Sequence, residues 1–169
     1  MSIAEMLLPE FDPEMANTRK FLARVPDGRF DFQPHPKSAT MGKLASHLAT
    51  SPGWSVETMN RDSLDFAPPG EPPMSLPEAQ NQAQLLELFD DGVTRARVAL
   101  ANATDEQFLQ PWTLLGGGTV VFTMPRIAVI RNFVINHTIH HRAQLGVYLR
   151  LNDIPVPAIY GPSADEQSF

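Results

Sequence analysis

With 169 residues, 43% hydrophobic and 19% charged, the chain has the size and balance of one globular domain spanning 1–169. It contains no cysteine, which excludes a disulfide framework, a thiolate metal site and a cysteine nucleophile. The net charge of −6, with 13 scattered basic residues, argues against nucleic acid as a partner. No apolar run approaches the ~18–20 residues of a membrane span. Residues 1–10 carry Glu5 and Glu10 and no basic stretch, so no secretory leader is expected and the chain reads as a soluble, cytoplasmic domain.

Most of the 16 prolines cluster at 26–36, 68–77 and 155–162, and the windows between them repeat apolar residues every three to four positions. The first helix is predicted from about Ile3 to Val25, with Leu7, Phe11, Met15, Thr18, Leu22 and Val25 on one face. A second follows Ser38 and Thr40, either of which can cap it, and carries Met41, Leu44 and Leu48. Pro52-Gly53 should kink or interrupt it. A third is expected to open on a capping box formed by Ser75 and Glu78, with Pro77 in its first turn. Its stripe is Gln82, Leu86, Phe89, Val93, Ala96 and Leu100. PWTLL and TVVFT, separated by Gly116, Gly117 and Gly118, form a candidate hairpin within 111–123. No Gly-Lys-Ser/Thr follows those glycines, so they are not a phosphate-binding loop. The last helix runs from about Pro125 to Leu151 and stops at Asn152, before Pro155. The expected class is therefore all-α: a four-helix bundle with a short hairpin or irregular segment before its last helix.

Three of the five histidines fall on that last helix. At about 100° per residue, His141 lies about 40° from His137, within the stripe shared by Ile127, Ile130, Val134, Leu145 and Tyr148. Imidazoles at i and i+4 are spaced to ligate one metal ion, and His47 occupies the apolar face of the second helix. Together they make a candidate three-histidine site with a coordination position left for water or a ligand. The alternative is that they are ordinary core histidines. Against that, their ring nitrogens would need partners, and no charged residue shares the stripe. Zinc, nickel and iron(II) all accept imidazole.

Two segments resemble the DinB/YfiT-like superfamily: LASHLATSPGW at 44–54, and NHTIHHRAQLGVYLRLNDIPVPAIYGPSADE at 136–166. The first is similar to the family's first-ligand helix, the second to its HxxxHRxQ helix and following tail. FDFQPHP at 30–36 and the opening helix also resemble family sequence, so the likeness covers nearly the whole chain. The resemblance implies an up-down four-helix bundle, often a homodimer, with a divalent metal on His47, His137 and His141. The family's HHRGQ corresponds to His140, His141, Arg142, Ala143 and Gln144, alanine standing for the usual glycine. Characterised relatives include thiol-dependent transferases and isomerases that use mycothiol or bacillithiol. The resemblance thus implies a metal-dependent enzyme acting on a small-molecule substrate with zinc or nickel, or iron, and a low-molecular-weight thiol as cosubstrate. Metal-assisted hydrolysis of a small substrate, and a non-catalytic metal- or ligand-binding bundle, are the competing readings.

Other residues are expected around the site. Gln144, about 20° from His137 on the wheel, can hydrogen-bond a ligand; His140, about 60° away, is a flank residue or a base. Trp54, seven residues after His47, walls the pocket only if the helix survives Pro52, and otherwise belongs to the core. Arg142 points away from the site toward an ion pair or a helix-end contact, and His35 lies in a loop between two prolines. Ala128, Ile135, Ile139, Ala143 and Gly146 form a second, opposite stripe, expected to meet a second subunit or the 102–124 segment.

Overall fold

In the computed structural model, which describes residues 1–167, α1 spans Ile3–Leu22 and begins on a capping box between Ser2 and Glu5. Residues 168 and 169 of the expected domain lie outside the described residues. The buried face of α1 is the predicted one, from Leu7 through Phe11, Met15 and Thr18 to Leu22. Pro9 and Pro13 sit on its solvent side, where water can satisfy the carbonyls they leave without donors.

Thr40 caps α2, Met41–Thr50, by accepting the Lys43 amide. Pro52 ends it: with no N–H, proline cannot continue the ladder, and the Ser51 hydroxyl turns back to donate to the His47 carbonyl at 2.7 Å. The chain resumes as α3, Gly53–Asn60.

The helix expected from Ser75 starts later. Helix α4 spans Gln82–Ala101, with Asn81 as its cap, and 75–80 is not helical. Tertiary partners fix where the helix begins. The Ala79 amide donates to the Ser46 hydroxyl at 3.0 Å, and the Gln82 amide to Asp27 at 2.7 Å. The Gln82 side chain binds the carbonyls of Ala23 and Val25. The buried face is Leu85, Phe89, Gly92, Ala96 and Leu100, shifted at two positions from the predicted stripe.

The class itself needs correction, from all-α to mixed. After the short helix α5, Asp105–Leu109, the predicted hairpin forms from β2, Pro111–Gly116, and β3, Thr119–Pro125. A third strand, β1, Ser63–Asp65, pairs parallel to β2 with Ser63 opposite Thr113. The Asp65 carboxylate clamps this sheet by accepting the amides of Ala67, Gly117 and Gly118. Gly117 and Gly118 make the turn at φ of 63° and 75°, a region open to glycine. Helix still makes up more than half of the described residues, which is why its periodicity dominates the sequence.

The last long helix is also not uniform. Helix α6, Arg126–Val129, runs into a π-helical segment at Ile130–Asn136, and α7 follows from His137 to Arg150. Helices α1 and α2 each pack on both α4 and α7, and the core lies among these four. Among the described residues, no helix is long and apolar enough to cross a membrane.

Gly42, in the first turn of α2, shows how closely the 30–40 loop is packed. A Cβ there would stand 2.7 Å from Phe30 Cδ1 and 3.1 Å from its Cβ. Helix propensity alone favours alanine by about 1 kcal/mol, whereas overpacking of this kind costs about 1–3 kcal/mol. Gly42→Ala is therefore expected to lower the thermal midpoint, measured by circular dichroism; a rise would show that Phe30 gives way.

Candidate metal centre

His47 reaches from α2 toward α7, where His137 and His141 stand one helical turn apart. The three rings pack edge to face, with centroids 4.9 Å apart for His47 and His137, 4.7 Å for His47 and His141, and 4.4 Å for His137 and His141. One ring nitrogen from each lies within 4.8 Å of the others, and Nε2 of His47 is 2.7 Å from Nε2 of His137. All three side chains are half-buried. Three converging imidazole nitrogens suit a divalent ion such as zinc, nickel or iron(II).

Protonation state agrees with that donor set. Burial pushes all three imidazoles below the ordinary histidine value, His137 to about 4, because a cation is poorly solvated there. Mutual repulsion adds to the effect: His141 depresses His47, while His141, His47 and His140 all depress His137. The imidazoles are thus neutral at pH 7, as metal ligands must be. Gln144 fixes one of them. Its Oε1 lies 2.7 Å from His141 Nδ1, so Nδ1–H donates and Nε2 is left with its lone pair free.

The other anticipated residues divide. Exposed His140 has its ring 4.9 Å from that of His141. Trp54 lies elsewhere: past the break at Pro52, it lines a cavity of about 340 Å3 with Ala49, Gly53, Leu64 and Met74, and its ring is 6.4 Å from Trp112. His35 is exposed in its loop, with Nδ1 accepting the Lys37 amide. On the opposite side of α7, Gly146 packs on the Phe21 ring, and the 156–163 tail borders the groove there.

Arg142 makes the ion pair expected of it, but deep inside the protein. Its guanidinium is 1% exposed and pairs with Glu14 of α1 at 2.7 Å. The Glu14 carboxylate also accepts the Tyr160 hydroxyl. Neither Glu14 nor Tyr160 was anticipated from the sequence. A signal existed for Glu14, which shares the apolar stripe of α1 with Phe11, Met15 and Thr18 and so needed a buried cation. Tyr160, in an irregular tail, offered none.

The geometry defines a mixed α-helical domain with a three-histidine donor set. The chain belongs to the DinB family, whose model matches residues 1–168. The uncharacterized protein YrdA of Bacillus subtilis is 26% identical over 159 residues, covering 94% of this chain and 89% of that protein. A DinB-like protein from Bacillus cereus aligns with a TM-score of 0.74 at 23% identity, over 94% of this chain and 98% of its own. The DinB-like protein YjoA of B. subtilis aligns at 0.68 with 15% identity, over 97% and 99%. At these identities the solved structures establish the shared fold.

The depressed histidines set a pH dependence. Protonating them favours the unfolded chain, where a histidine titrates near 6.5. The stability they contribute is complete above about pH 6.5 and is lost as the pH falls toward 4, where His137 takes up its proton. Metal-free protein should show a thermal midpoint that drops between pH 6.5 and 4, and His137→Gln should flatten that drop. An equal slope in the two proteins would contradict the burial argument.

Proposed function

We propose that this protein is a metal-dependent enzyme in which His47, His137 and His141 hold a divalent ion that activates a small thiol cosubstrate for transfer to, or isomerisation of, a small electrophile. The observation that carries the reading is the convergence of three neutral imidazoles with no fourth carboxylate or histidine grouped with them among the described residues. A structural zinc is usually closed by four protein ligands, whereas three leave a position for a reactant. A metal there supplies Lewis-acid chemistry, lowering the pKa of a bound thiol or water.

The chain's own residues would divide the work. Gln144 would keep Nε2 of His141 directed into the site, and His140, exposed beside His141, would accept the proton that a thiol releases. The chain has no cysteine, so the thiol must arrive as a cosubstrate. The family resemblance supports that choice over water.

Metal analysis of protein purified without a histidine tag is the first test. About one ion per chain is expected in the wild type and in His140→Ala, with loss in His47→Ala, His137→Ala and His141→Ala. Gln144→Ala should retain the ion with roughly tenfold weaker affinity, as for other supports of a ligating histidine. With metal bound, consumption of a reactive electrophile should require added thiol. Turnover without thiol would make the centre a hydrolase, and a wild type that binds no zinc, nickel or iron would end the metalloenzyme reading.

A further inference from the structure

We infer that Arg142 is a positioning residue for the three-histidine centre, acting through Glu14 of α1 and Tyr160 of the C-terminal tail; the inference rests on the metal reading above. Arg142 directly follows His141, about 100° around the helix, so its side chain faces α1 while the imidazole faces α2. One guanidinium nitrogen donates to the Glu14 carbonyl at 3.0 Å and the Thr18 hydroxyl at 3.2 Å. The other donates to the Glu14 carboxylate at 2.7 Å and to the Tyr160 hydroxyl. Tyr160 in turn donates to the same carboxylate, and its ring lies 5.4 Å from the guanidinium carbon.

A guanidinium is a rigid planar fork, so satisfying it constrains orientation as well as distance. With these donors engaged, α7 is restrained from turning about its own axis. That restraint matters for a metal site. Imidazole nitrogens lie roughly 5–6 Å from the helix axis, so a turn of about 20° would carry them roughly 2 Å. Metal–ligand distances tolerate only about 0.2 Å. The tail that brings Tyr160 is itself tied down at two points, to Arg24 just past the end of α1 through Glu166 and to Arg150 of α7 through Asp165. Asp165 and Glu166 further accept the amides of Val156 and Ala158, so the 156–166 segment is a strap whose phenol closes the pair.

Cobalt(II) titration of the purified chain, followed by its visible absorption bands, separates positioning from plain stability. Glu14→Gln and Arg142→Lys are expected to weaken cobalt affinity by about tenfold or more and to alter the band pattern. Tyr160→Phe keeps the ring and removes the hydroxyl; it should weaken affinity by roughly threefold. Leu100→Ala on α4, a core truncation outside this network, should lower the thermal midpoint yet leave the cobalt dissociation constant and spectrum unchanged. Folded variants with wild-type affinity and bands would overturn the inference, as would an equal loss in Leu100→Ala. If the variants at 14 and 142 fail to fold, Tyr160→Phe decides by the same criteria. A wild type that takes up no cobalt removes the metal reading and this inference together, whereas binding that ignores all three network variants removes this inference alone.

Discussion

Helix α7 turns polar groups toward its neighbouring helices, where they cannot be left alone. A buried, unpaired guanidinium would cost several kcal/mol, enough to unfold a marginally stable domain. Arg142 avoids this by meeting the one acidic side chain on the buried face of α1. The imidazoles meet the same constraint differently, by giving up their protons. Burial holds His47, His137 and His141 neutral, and three neutral nitrogens facing one another form a donor set for a cation. One helix therefore ties the bundle together through its charged group and builds the site through its uncharged ones.

The small sheet is more than an ornament on the bundle. Trp112 of β2 lies 6.4 Å from Trp54 of α3 and 6.1 Å from Phe122 of β3, and Phe122 stacks on Phe133 at 4.7 Å. This aromatic row joins α3, the hairpin and the π-helical segment. Phe133 stands four residues before His137, so the row ends about one turn from the site. A π-helical stretch has looser hydrogen bonding than an α-helix and recurs near functional sites. Here it ends at Asn136, immediately before the first histidine of α7.

Breaks in regularity matter as much as the regular elements. Pro52 interrupts the ladder between His47 and Trp54, and the two side chains consequently serve different places: one the histidine cluster, the other a cavity between α3 and α4. The Ser51 amide and hydroxyl both donate to the His47 carbonyl, and the same amide reaches the Leu48 carbonyl, which Pro52 cannot serve. A ligand-bearing turn is stabilised at the point where its helix ends.

What the sequence determined by itself was local. The i, i+4 spacing of His137 and His141, the apolar stripe beneath them, the cap at Ser38–Thr40 and the turn at Gly116–Gly118 are each written within a few residues. His47, ninety positions from His137, was readable only as one residue on the apolar face of its own helix, to which the DinB resemblance added a ligand role. The rest depended on distant partners. Three residues, Ser63–Asp65, have no periodicity to read, and they become a strand because β2 offers its edge some fifty residues later. The capping box at Ser75 and Glu78 had correct chemistry and still lost: Ser46 holds the Ala79 amide, and Asp27, Ala23 and Val25 hold Gln82, where the helix begins instead. Tyr160 closes the Glu14–Arg142 pair from a tail without regular structure. Hydrogen bonds and charges buried between remote segments are decided by which surfaces exclude water together, and only the folded chain specifies that.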